Sequence, residues 1–150
     1  MTCGTMAGSE RTSTRPPLDM PRDEMAFRRR YEPLLFARTL TTVFRPGDRL
    51  WPNWRGYRQG EIVTARVIAR PGSDALGIPP EFTSTRLLIE IVDIKVFTPE
   101  ALTAGDFAGS SPDVQDTGSL LVHLLGIYGR PLSDFGDVVT RIQFAYRDRR

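Results

Sequence analysis

An ordered alternation of apolar and polar positions begins only near Met25. Before it, residues 1–24 mix Gly, Ser, Thr and Pro with almost no large apolar side chains. So little buried surface cannot offset ordering entropy, and a disordered tail is expected. Met25-Ala26-Phe27 reads as a short strand, and residues 31–37 as a short helix with Pro33 in its first turn. Residues 39–44 are dense in β-branched and aromatic side chains and end at Arg45-Pro46-Gly47-Asp48, a turn expected to lead into another strand. Residues 62–69 lie between Gly60 and Pro71-Gly72 and read clearly as a strand, followed by a surface loop over 70–80. The longest β segment is 85–97, where Leu87-Leu88-Ile89 predicts burial on both faces and a bulge is expected near Val92. A polar, glycine-rich stretch over 104–116 leads to a helix capped by Thr117 or Ser119. Its residues Leu120, Leu121, Leu124, Leu125 and Ile127 are expected to form one broad apolar face, and Gly129 to stop it. Residues 138–146 alternate as a final strand. Five or six short strands with two helices, and no regular βαβ alternation, predict a β-rich α+β domain over 25–150, a small barrel with helical inserts.

Composition narrows the setting. A chain of 150 residues buries roughly two-thirds of its unfolded surface, enough for a real core. With 40% apolar and 25% charged residues it resembles an ordinary globular chain. No run approaches the roughly 18 apolar residues of a membrane span, and the start lacks the apolar stretch of a secretory signal. A cytoplasmic location without membrane contact is the expectation. Cys3 is the only cysteine, so no internal disulfide or thiolate-rich metal site can form, and no metal or organic cofactor is expected. The formal charge is +2, and Lys95 is the only lysine among 20 cations. That arginine bias suits phosphates and base edges, and a GC-rich genome would produce it equally.

Several chemistries are excluded by motif. The sequence holds no phosphate-binding glycine loop, no dinucleotide fingerprint, no nucleophile elbow and no H-E-x-x-H. With one histidine, His123, and one cysteine in the tail, a Cys-His pair or histidine triad is not expected. His123 sits among leucines and reads as a partly buried helix residue outside the site. The segment Arg38-Thr39-Leu40-Thr41, with the Pro46-Gly47-Asp48 turn, marks a ligand cleft. Residues 51–58 interleave Trp51, Trp54 and Tyr57 with Arg55 and Arg58, the pattern that base stacking plus phosphate contact requires. Arg28, Arg29 and Arg30 with Arg45, Arg49, Arg55 and Arg58 are candidates for one basic rim.

Strand, helix, R-T-L-T, F-R-P-G-D, a strong strand, and a capped helix ending in Ile127-Tyr128-Gly129 before a terminal strand: this order resembles the ASCH domain family. The resemblance covers about residues 25–146 and implies a PUA-like barrel. Members of that family are associated with RNA binding, and some small bacterial ones are amidohydrolases that deacetylate acetylated cytidine. Their motif G-x-K-T-x-T places the family lysine on Arg38 and the second threonine on Thr41. The family glutamate falls nearest Asp113, with Asp116 its neighbour. Phe36 stands where the family has glycine. An arginine stays protonated and cannot serve as base or amine nucleophile, so the substitution at Arg38 favours binding over catalysis.

The resemblance therefore implies a domain that binds RNA or a modified nucleoside in a cleft beside 38–41. Trp54 and Tyr57 would stack, and Arg38, Arg45 and Arg55 would meet polar or phosphate groups. Thr39 joins them as a ligand contact, with Thr41 and Asp113 at the cleft floor. The alternative is an amidohydrolase of an N-acylated pyrimidine nucleoside, in which Thr41 supplies a hydroxyl, Asp113 a carboxylate, and Arg38 stabilises the oxyanion. A third expectation is a protein-interaction module.

Overall fold

Alternation along the chain produces five strands. The computed structural model describes residues 20–73 and 75–149, with strands β1 (Glu24–Arg28), β2 (Thr42–Pro46), β3 (Ile62–Arg70), β4 (Glu81–Phe97) and β5 (Val139–Arg147). Two α-helices, α1 (Glu32–Phe36) and α2 (Thr117–Tyr128), make the fold α+β. The strands form one mixed sheet in the order β1-β3-β4-β5-β2; β1 runs parallel to β3, and every other pair is antiparallel. Among the described residues no helix is long and apolar enough to cross a membrane.

The expected barrel is not closed. β1 and β2 are the sheet's two edges and share no ladder. A side chain spans them instead: Arg45 of β2 donates through Nη2 to the Ala26 carbonyl of β1 at 2.7 Å. Its guanidinium also lies 5.6 Å from the Phe27 ring centroid. β2 is only five residues long and ends in Pro46, which has no N–H to donate.

Two cores flank the sheet. On one face Met25, Phe27, Val63, Ile89 and Ile142 pack with Leu35 of α1. On the other, Phe44 and Val139 pack with Phe107 and with Leu120 and Leu124 of α2. Strand alternation in β2 sends Phe44 to the second core and Val43, with Arg45, to the first. The bulge falls where expected: register passes from Ile91↔Phe144 to Asp93↔Gln143, skipping Val92. That extra residue flips the parity, so Ile94 joins Ile89 and Ile91 on the first core's face.

Other expectations shift. β2 begins at Thr42 rather than at residue 39, because α1 ends in a Schellman-type turn that uses the intervening residues. Arg38 N–H donates to the Leu35 carbonyl and Thr39 N–H to the Leu34 carbonyl, with Arg38 left-handed at φ 59°. After Gly47 no strand follows; residues 48–61 form a loop holding only an isolated Leu50–Tyr57 bridge. Asp116, not Thr117 or Ser119, caps α2, its carboxylate accepting from the Ser119 N–H at 2.7 Å while Ser119 donates back. The buried stripe of α2 is narrower than expected: Leu120 and Leu124 are buried, whereas Leu121 and Leu125 face solvent. Residues 1–19 of the expected tail lie outside the described residues. Arg22 pairs with Glu61, and the Asp23 carbonyl accepts from Thr64 N–H in β3.

Candidate functional site

Because β1 and β2 do not pair, a cleft of about 870 Å³ opens beside both edges. Ala26 and Phe27 line it from β1, and Val43 and Arg45 from β2. The 48–61 loop contributes Arg49, Arg55 and Tyr57; α2 contributes His123, Ile127 and Tyr128. Ser110 and Ser111 complete the side below α2. The volume falls in the ordinary range for small-ligand pockets, roughly 300–1,000 Å³.

One end of this cleft is strongly basic. Arg49 is only 5% exposed. A relay holds it: the Arg49 backbone N–H donates to Thr140 Oγ1, and that hydroxyl donates to the Gly47 carbonyl at 2.7 Å. Its Nε donates to the Pro46 carbonyl at 3.0 Å, yet its Nη2 is buried without a hydrogen-bond partner. A buried charged donor left unmade carries a large desolvation penalty. Burial accordingly pushes the Arg49 pKa below its ordinary value; the neighbouring Tyr128 phenol opposes this by its charge and a hydrogen bond, and the Arg45 and Arg55 guanidiniums lower it further. Burial would raise the Tyr128 phenol, but Arg45 and Arg49 dominate together and bring its pKa down. Among the described residues no carboxylate forms an ion pair with Arg45 or Arg49. Several arginines elsewhere pair with carboxylates: Arg66 and Arg86 share Glu24, Arg141 meets Asp93 and Asp106, and Arg147 meets Glu90.

Beside the cleft, in an adjoining groove, lies a carboxylate. Asp113 accepts from Tyr31 Oη at 2.8 Å and from Ser111 Oγ at 2.5 Å. Burial acts to raise its pKa, but those two hydrogen bonds, with His123 and its own backbone, hold it below the usual carboxylate value. His123 Nδ1 lies 3.8 Å from Asp113 and 3.4 Å from Tyr31 Oη. Burial pushes the imidazole pKa down, Asp113 opposing. Burial, followed by Asp113, raises the Tyr31 phenol. The cluster therefore holds a carboxylate, a neutral imidazole and a protonated phenol at neutral pH. Such a set can exchange hydrogen bonds with a ligand's amide or hydroxyl edge. Among the described residues no group of three or more His, Cys, Asp or Glu gathers as a metal site would require.

A known structure shares this architecture. The fold matches the crystal structure of hypothetical protein PH0355 over 83% of this chain and 97% of that one. The TM-score is 0.51 and the sequence identity 15%, a likeness that establishes the fold alone. No family model and no curated protein matches the chain.

The expected site residues divide around this cleft. Arg45, Arg55 and Tyr57 line it together. Tyr57 is buried, and its hydroxyl donates to the Glu24 carbonyl at 2.6 Å, which fixes the ring as a wall. Trp54 is not among the lining residues; Arg55 stacks on its ring at 4.1 Å, and Arg49 lies 5.7 Å from it. Asp113 borders an adjoining groove and reaches the cleft through its partners Tyr31 and Ser111. Asp116 caps α2.

Of the R-T-L-T segment only Leu40 lines the cleft; Arg38, Thr39 and Thr41 are not among its lining residues. Arg38 pairs with Asp148 at 2.9 Å and lies 5.6 Å from the Tyr146 ring. The Thr39 hydroxyl donates to the Leu34 carbonyl at 3.4 Å. Thr41 is held against Gly109, whose carbonyl accepts its N–H at 2.9 Å; a Cβ on Gly109 would come within 2.2 Å of Thr41 Oγ1. Sequence reasoning passed over Tyr31, Ser111, His123 and Tyr128, and placed Arg49 only on a general rim. The available signal was a lone histidine on α2 one turn before Ile127, both of which line the cleft.

Proposed function

We propose that this chain is an ASCH-type, PUA-like domain that binds RNA or a modified nucleoside in the cleft between the β1 and β2 edges. The observation that carries this reading is the cleft itself. It offers guanidiniums at Arg45, Arg49 and Arg55, aromatic walls at Phe27 and Tyr57, and hydrogen-bonding groups at Tyr31, Ser111 and His123, with Asp113 behind them in the adjoining groove. A nucleoside presents complementary features: a polar sugar, a flat ring, and a donor–acceptor edge. The order of elements on which the family resemblance rests supports it too. A short single-stranded RNA should bind with an affinity that falls steeply with salt, the slope of log K against log[salt] being about −0.7 per phosphate engaged. Arg45→Gln should flatten that slope. Salt-independent binding, or none for RNA and free nucleosides alike, overturns the reading.

The hydrolytic alternative draws on one observation, the ionised Asp113 between Tyr31 and His123 beside the cleft. In that reading Asp113 acts on an N-acyl nucleoside as a proton acceptor. Release of cytidine from acetylcytidine by the wild type, lost in Asp113→Asn, would support it; no release above an Asp113→Asn control removes it.

A further inference from the structure

The basic end of the cleft favours a ligand that carries negative charge. Three guanidiniums, Arg45, Arg49 and Arg55, act on the same phenol of Tyr128, and no carboxylate among the described residues pairs with the first two. Arg49 is the decisive member. The protein buries 95% of it, leaving 5% exposed, and anchors its backbone N–H and Nε, yet leaves Nη2 without a partner. Arg66 and Arg141 also have a buried Nε without a partner, but each satisfies its charge on a carboxylate through its other nitrogens. Ser110 Oγ, a second buried hydroxyl without a partner, lines the same cleft.

We infer that this end is an oxyanion subsite, in which Arg49 Nη2, with Arg45 and Arg55, receives the terminal phosphate of a nucleotide. The inference rests on the nucleoside-binding reading and specifies its ligand as a phosphate monoester. Charge selects phosphate over carboxylate: a monoester carries about −1.5 to −2 at neutral pH and three acceptor oxygens, against −1 and two for a carboxylate. Planar guanidinium forks match those oxygens in pairs. A cavity of about 870 Å³ has room for a mononucleotide, with its phosphate at Arg49 and its base against lining residues such as Tyr57 and Tyr31.

Calorimetry and thermal shift at low ionic strength, with each ribonucleoside 5′-monophosphate, its nucleoside, inorganic phosphate and acetate, test this directly. At least one monophosphate should bind 10-fold or more tighter than its nucleoside, the least that a charge-assisted hydrogen bond contributes at about 1.5 kcal/mol. Inorganic phosphate should raise the melting temperature, and acetate should not. Arg49→Met should abolish the preference for the monophosphate over its nucleoside. Arg55→Gln, at a less buried position, should reduce it and serves if the Arg49 variant does not fold. Equal affinity for nucleoside and monophosphate overturns the phosphate subsite and leaves nucleoside binding standing. Protection by phosphate with no binding of any nucleoside or monophosphate supports an anion site but rejects the nucleotide. Equal protection by acetate and phosphate rejects the preference for phosphate.

Discussion

Arg38 shows how one residue can redirect a whole reading. It occupies the position after α1 where the backbone turns left-handed, φ 59°, a conformation that glycine adopts freely and a residue with a Cβ adopts at a cost of roughly 1–2 kcal/mol. Its ion pair with Asp148 is exposed on both sides and contributes little. Arg38→Gly should therefore stabilise the fold, raising the melting temperature by about 2–6 °C in a calorimetric scan, since each kcal/mol shifts it a few degrees in a chain of this size. The same variant should leave ligand binding in the cleft unchanged. His123 makes the second residue-scale prediction. Its pKa in the fold lies below the ordinary 6.5, so on acidification the unfolded chain takes up the proton first. Stability should fall as pH drops below 6.5 and level off once the folded imidazole also titrates. Asp113, shifted down, acts with the same sign at lower pH: its stabilisation is present above the ordinary carboxylate value and disappears as pH falls through its folded one. Denaturant titrations of His123→Gln should match the wild-type pH trend above pH 6.5 and lose less stability below it.

Among the elements, α2 is tied down at its start by the reciprocal Asp116–Ser119 cap. Asp116→Ala removes the acceptor for the Ser119 N–H and should cost about 1 kcal/mol in a chemical unfolding curve. An equal stability of the two proteins would mean that the helix start is held by packing alone. The strands themselves were legible in the sequence because their signal is local: alternation exposed β3 and β5, and the mixed run after Ile91 exposed the bulge. The start of β2 was not, because no glycine announces a left-handed residue when an arginine fills that place. The narrow stripe of α2 was misread for a similar reason, since Leu120, Leu121, Leu124, Leu125 and Ile127 look like one face until the sheet selects Leu120 and Leu124. In the cleft, Arg45, Arg55 and Tyr57 were visible in the interleaving of aromatic and basic residues. The unpartnered Nη2 of Arg49 was not, because residue type does not reveal burial. Nor did the Tyr31, Asp113 and His123 cluster show itself, since it joins three distant parts of the chain.

Taken as a whole molecule, the sheet leaves a gap between β1 and β2 where a closed barrel would put a ladder, and the ligand cleft occupies that gap. β5 is inserted between β4 and β2, so Thr42 has Gln143 as its neighbour across the sheet. This placement orders events in time. During synthesis the ribosome releases β2 well before β5, and until β5 arrives β2 has no strand to join. One wall of the cleft, with Arg45 and the loop holding Arg49, can assume its final place only after β5 has emerged. Late, long-range pairing of this kind is slow and leaves strand edges uncovered meanwhile. A chain interrupted before β5 therefore lacks the strand that seats one wall of the cleft.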